Sequence, residues 1–332
     1  MFSAAGIGDT LTDSVAIRAL KESFPKAILI VVTHRRRRAI VAHNPYVDEI
    51  IPYHKSLASF PCLTWKLRKR KPDVIVMLRG NDPDLWPMAY LVRRDAVVSC
   101  PIMTRFPFLI SHRVEIPKWD TTHGVEQTLE IVRSIGADCR NRQLVYEVRP
   151  REKKAMEEKL RKWNIPSRPG IVFQLGGGRR SSWRDWPSDS FAQLAERLFQ
   201  HYKVNLFLTG GPDLKQKAAT VQAALRNAAI NLVGRLSLEE TAALLSLSTC
   251  LVSTDTGIMH LGFAVGIETV ALIHCHNPAS RVGPYGYDEK HRVAQLPPPA
   301  HLPISKNIDM KGLTPDQVWL LLDEICQKQK VV

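Results

Sequence analysis

Short aliphatic runs alternate along this chain with longer stretches whose apolar positions recur every three or four residues. Ala27–Val32 is apolar throughout, which predicts a parallel strand buried on both faces. Met1–Ala5, Asp48–Tyr53, Asp73–Leu78 and Ala96–Cys100 predict further strands, as do Ile171–Leu175, Asn205–Thr209 and Thr269–His274. Between them lie helical periods. Leu11, Val15 and Ala19 with Ile17, Leu20 and Phe24 give one over Thr12–Phe24, which Pro25 stops. Leu63–Lys71, Asp84–Arg94, His123–Ile135, Glu152–Trp163, Ser190–Tyr202 and Leu214–Asn227 predict others. Ser237 and Glu240 have the spacing of a capping box before a helix that starts at Leu238. A closing helix over Pro315–Gln327 presents Val318, Leu321, Leu322 and Ile325 on one side.

The alternation restarts near Val145–Arg151, where a charged helix and the turn-rich Ile165–Gly170 lead into a fresh strand. A length of 332 residues suits two domains of about 150 residues each. The expectation is therefore α/β: two doubly wound Rossmann-like domains, 1–150 and 151–332, with ligand sites at the carboxyl ends of their strands facing a cleft. Leu296–Pro303, rich in proline, reads as a linker.

One stretch carries the densest chemistry. In Thr249–Leu261 a buried strand over Cys250–Val252 stops at Asp255-Thr256-Gly257, which opens a helix over Ile258–Val265. The unpaired N–H groups of that first turn and the positive end of the helix dipole favour a phosphate. Gly257 lets the backbone approach a ligand. Asp255 is either a helix N-cap or part of that site; Thr256 and His260 add a hydroxyl and an imidazole at the same helix mouth.

Thr254-Asp255-Thr256-Gly257-Ile258-Met259-His260 resembles the nucleotide-binding signature Ser/Asn-Asp-Ser/Thr-Gly-x-x-His of the bacterial ADP-heptose:lipopolysaccharide heptosyltransferases, glycosyltransferase family 9. Other segments follow in that family's order: Gly6-Ile7-Gly8-Asp9, Asn44–Asp48, Arg184-Asp185-Trp186-Pro187, Thr209–Pro212, Gly234–Leu238 and Gly283–Gly286. The resemblance implies a GT-B architecture in which residues 1–150 bind the acceptor and residues 151–332 the nucleotide sugar. It implies an inverting, metal-independent transfer of a heptose from a nucleotide diphosphate donor, ADP-heptose, to a lipopolysaccharide-core or related glycan acceptor, with no cofactor. Asp9 matches the family's base, which takes the acceptor's proton; Asp13, one turn on, is the fallback. Arg184, Asp255, Thr256, Gly257 and His260 match donor-binding positions, with Arg184 paired to a phosphate. Leu236 matches a position that contacts the base. Where relatives carry a Glu for the ribose after Gly-Gly-Pro, this chain has Asp213-Leu214-Lys215-Gln216. A nucleotide-sugar epimerase, or a nucleotide-binding module without turnover, are the rival readings.

Charge adds partners to this picture. The net charge of +14 and pI near 9.6 point to anionic ligands. No zinc-finger, RNP-like or basic-zipper pattern is present, so nucleic acid is not an expected partner. His34-Arg35-Arg36-Arg37-Arg38 follows the second strand, which places Arg35, Arg36 and Arg38 as candidates for an anionic lipid-linked acceptor. From Ile51 to Pro72 there is no acidic residue, while Lys55, Lys66, Arg68, Lys69, Arg70 and Lys71 gather near Phe60 and Trp65, a pattern suited to an acidic membrane surface. Arg179 and Arg180, after three glycines, are either a solvated loop or further phosphate partners. His274 and His276 lack a third metal ligand, so no metal site is expected. Six dispersed cysteines fit buried thiols in a reducing cytosol, and no apolar run nears the ~18 residues of a membrane span. The expected location is cytoplasmic, peripheral on the inner face of the membrane.

Overall fold

The computed structural model describes residues 1–56, 58–80, 82–286, 289–301 and 303–331, with the side chains of residues 80 and 179–181 outside that description. The chain divides into two compact units, Met1–Glu147 and Val148–Val332.

In the first unit six parallel strands are laid down as β1 (Phe2–Ala4), β2 (Ile30–His34), β3 (Glu49–Tyr53), β4 (Ile75–Gly80), β5 (Val97–Ser99) and β6 (His112–Arg113). They pair in the order β3-β2-β1-β4-β5-β6. Helices α1 (Ile7–Ser23), α2 (Arg38–Val41), α3 (Ser59–Lys69), α4 (Leu85–Val92) and α5 (Gly124–Arg133) cover the sheet. Phe2, Val32, Met77 and Trp86 meet in the core between the sheet and the α3–α4 layer.

The second unit opens with α6 (Pro150–Lys162). It continues through β7 (Gly170–Gln174), α7 (Ser188–His201), β8 (Asn205–Thr209), α8 (Lys215–Ala224), β9 (Ile230–Asn231) and α9 (Leu238–Ser246). Then come β10 (Cys250–Thr254), α10 (Gly257–Val265), β11 (Glu268–Ile273), α11 (Ala279–Val282), β12 (His291–Gln295) and α12 (Pro315–Lys328). The order β12-β11-β10-β7-β8-β9 is again doubly wound and parallel. The strands β7, β8, β10 and β11 are buried along their whole length, which is why each carries a continuous apolar stretch, with its polar residues at the strand ends.

Parallel pairing puts all strand carboxyl ends of one sheet on one edge. The order reverses between β1 and β4 in the first unit and between β7 and β10 in the second, and such switch points are where doubly wound sheets open a crevice for ligands.

Several details depart from the sequence reading. The strand expected over Ala27–Val32 begins only at Ile30, and Ile28 is exposed. Helix α1 begins at Ile7 rather than Thr12, because the Gly6 N–H donates to Asp9 Oδ2 at 3.2 Å and closes the first turn. The short strands β6, β9 and β12 lack the apolar runs that mark the others. Leu296 is buried in the second core, so the proline-rich stretch starts as part of the fold; Leu302 within it lies outside the described residues. Cys62 is exposed while the other five cysteines are buried.

Candidate active site

At the switch point of the first unit, Asp9 stands in the first turn of α1, with its side chain 43% exposed. Its Oδ1 lies 3.3 Å from Arg79 Nη1, and its Oδ2 accepts the Gly6 N–H. Arg79, near the end of β4, is held on two more sides: Nε donates to Asp13 Oδ1 at 3.1 Å and Nη2 to the Gly124 carbonyl at 3.2 Å. Asp13 is fully buried and accepts the Ser3 hydroxyl at 2.5 Å. Burial pushes the Asp13 carboxyl up to about 6, although Arg79 and Ser3 pull the other way. Arg79 stays firmly cationic, since Asp9 and Asp13 outweigh the burial that would lower it.

The second switch point gathers the donor-site candidates. Asp255 follows β10 and is buried; its Oδ2 accepts Arg184 Nη1 at 2.6 Å and Asn277 Nδ2 at 2.9 Å, and its Oδ1 lies 4.0 Å from His260 Nε2. The helix cap is Thr256 instead, whose hydroxyl accepts the Met259 N–H at 3.4 Å. Gly257 is the first residue of α10, and the helix stops at Gly266, which takes the left-handed conformation at φ +80°. Arg184 reaches Asp255 from a 3-10 turn, Arg179–Arg184, anchored by the buried Trp186 whose Nε1 donates to the Leu313 carbonyl at 2.8 Å. Asp185 accepts the Gly177 N–H at 3.1 Å, and a Cβ on Gly176 would collide with that carboxylate. Burial raises the Asp185 carboxyl, with Lys217 and the Gly177 N–H opposing.

The structure thus joins Arg184, Asp255 and His260 directly, with Thr256 and Gly257 on the adjoining helix turn. Leu236 is half-buried just before the Ser237 cap of α9, at the carboxyl end of β9 and separated from β7 by β8. The side chains of Arg179 and Arg180 lie outside the described residues. After β2, Arg35, Arg36 and Arg38 are exposed, while Arg37 turns inward and its Nε donates to the Ala5 carbonyl at 3.2 Å. His274 spends both ring nitrogens, Nδ1 accepting the His276 N–H at 3.0 Å and Nε2 donating to the Ile308 carbonyl at 2.8 Å, so neither is left for a metal. Trp183 stands edge-on to both imidazoles. The sequence reading missed Ser3, Arg79 and Asn277; a lone arginine ending the apolar run Val76–Leu78 was the one available signal.

Comparison with known proteins follows the same lines. The model of glycosyltransferase family 9 (heptosyltransferase) matches residues 67–306. Lipopolysaccharide heptosyltransferase 1 of Pseudomonas aeruginosa is 31% identical over 134 residues, 40% of this chain and 36% of that protein, so the matched stretch spans about a third of the relative. The glycosyl transferase family 9 structure from Veillonella parvula superposes with a TM-score of 0.84 at 17% identity, over 98% of this chain and 96% of that one. The Escherichia coli ADP-heptose lps heptosyltransferase II gives 0.81 at 20% identity, over 99% and 98%. These two likenesses bear on the fold alone, which is the expected GT-B type of two doubly wound units. By the extent of the family match, the chain belongs to glycosyltransferase family 9, the heptosyltransferases.

Proposed function

We propose that the chain is an inverting glycosyltransferase that moves a heptose from ADP-heptose to a lipopolysaccharide-core or related glycan acceptor. The observations that carry this reading are the half-exposed Asp9 carboxylate at the switch point of the first unit and, within the second unit, a cation and a helix N-terminus gathered at its own switch point. The first unit binds the acceptor and the second the nucleotide sugar. As the acceptor oxygen bonds to C1 of the sugar, its proton passes to Asp9. The bond from C1 to the diphosphate breaks, and its electron pair leaves on the nucleoside diphosphate. That growing charge needs donors already in place. The N–H groups at the start of α10, the Thr256 hydroxyl, His260 and Arg184 supply them in place of a metal. Leu236 lies against the base, and Arg35, Arg36 and Arg38 reach the acidic groups of a lipid-linked acceptor.

The acceptor side adjoins a membrane in this reading. No helix among the described residues is long and apolar enough to cross one. Helix α3, however, exposes Trp65 with the Lys69 ammonium 3.7 Å over its ring, and Lys66 and Arg68 are exposed beside it. Such a face suits peripheral attachment to acidic lipid at the inner surface of the cell membrane. A donor panel tests the reaction: ADP-heptose against other ADP-, GDP- and UDP-sugars, with release of free nucleotide and growth of the acceptor as readouts. ADP-heptose should turn over fastest and only with acceptor present. Sugar conversion without acceptor would point to an epimerase, and binding without donor consumption to a module with no turnover.

A further inference from the structure

The trio around Asp9 is a geometric device. A general base must hold a fixed orientation, and a guanidinium 3.3 Å from the Asp9 carboxylate can supply it. Arg79 is fixed by geometry: with Nε on Asp13 and Nη2 on the Gly124 carbonyl, its planar fork leaves Nη1 aimed at Asp9. Asp13 is fully buried, tied through Oδ1 to Arg79 and through Oδ2 to Ser3, and is closed to solvent. Its negative charge lies against the far side of the same guanidinium.

Resting on the reading of Asp9 as base, we propose that Arg79 is the positioning residue for Asp9, and that buried Asp13 in turn fixes the Arg79 fork that does so. Among the described residues, the elements packed around this group bring the following charges and dipoles. Arg37, from the turn after β2, bonds the Ala5 carbonyl beside Asp9, and Asp9 in turn acts on it. Helix α5 presents the Gly124 carbonyl, and its Glu126 and Glu130 pair with Arg133. Strand β1 presents Ser3, and Arg38 of α2 is exposed.

The test measures kcat, acceptor KM, ADP affinity and the kcat–pH profile of the full chain, with ADP-heptose and acceptor, for Asp9→Asn, Arg79→Met and Asp13→Asn. Arg79→Met and Asp13→Asn should each lower kcat at least about tenfold, as misplacing or retuning a base does, with ADP affinity unchanged. Arg79→Met removes the cation beside Asp9 and should move the acid limb to higher pH, whereas Asp13→Asn holds neutral a carboxyl that otherwise takes up its proton near pH 6 and should lose the part of the wild-type limb that this proton causes; a merely structural role moves neither. Should Asp13→Asn fail to fold, Arg79→Lys carries the test: it keeps the charge but not the fork, so kcat should fall with the limb unmoved. Loss of turnover in Asp9→Asn alone, with folded Arg79 and Asp13 variants near wild-type kcat, would overturn the proposal. Turnover retained in Asp9→Asn would remove the base reading beneath it.

Discussion

Asp9 and Asp255 are the same residue type in matching places, each beside the first turn of a helix where the strand order of its sheet reverses. Burial separates them. The Asp9 side chain is 43% exposed and meets Arg79 and one amide, so it can exchange a proton with a bound hydroxyl. The Asp255 side chain is 5% exposed, and its Oδ2 alone holds both Arg184 and Asn277, which suits it to organising its neighbours rather than to exchanging a proton. The two carboxylates differ in environment more than in position.

The largest expected contrast is in stability. Asp255→Ala strands the Arg184 guanidinium, whose side chain is only 24% exposed, and breaking a buried pair costs about 3–5 kcal/mol. At ~2–4 °C per kcal/mol for a unit of this size, Tm should fall by roughly 6–20 °C. Asp9→Asn leaves Arg79 its bonds to Asp13 and Gly124, so its effect should stay within about 0.5 kcal/mol. Equal Tm shifts in calorimetry would erase the distinction.

Next in size is the exposed arginine cluster. Replacing Arg36 and Arg38 with Gln removes charge-assisted bonds worth about 1.5–3 kcal/mol each if they meet the acceptor. The acceptor KM should then rise at least about tenfold, with donor KM spared and less salt sensitivity left. An unchanged acceptor KM with weaker liposome attachment would reassign the cluster to the lipid surface. On the donor side, His260→Ala should weaken nucleoside diphosphate about tenfold more than nucleoside, the loss of one bond to a charged group. Equal weakening would remove the phosphate from this helix mouth.

The smallest effect is a pH dependence. Burial lifts the Asp13 carboxyl from 3.8 to about 6, so the folded state binds that proton more tightly than the unfolded one. The stability this confers is full below pH 3.8 and is lost as pH rises to about 6. Urea denaturation across that window should show wild type losing stability relative to Asp13→Asn, with a constant difference above it; parallel curves throughout would contradict the burial argument.

The elements legible in the sequence were those whose burial shows as pattern. Asn205–Thr209 is a strand with the expected bounds, and the Ser237–Glu240 capping box forms as the spacing implied. Strand β12 was missed because His291–Gln295 is only partly buried and reads as a polar run. Asp9, Arg184, Asp255 and His260 could be named from motif and chemistry, but their partners could not. Arg79 meets Asp13 across 66 positions and Asn277 meets Asp255 across 22, joined by sheet order rather than by local spacing. Four consecutive arginines likewise carry no mark of which one turns inward; the 3-10 turn after β2 selects Arg37.

Turnover and nucleotide affinity measured together on Asp9→Asn bear most directly on the division between an acting carboxylate and a holding one. The account predicts that kcat falls at least about 100-fold, the range of a lost general base, while ADP binding by calorimetry matches wild type. A variant with near-normal kcat, or one that loses ADP affinity in step with turnover, would contradict it.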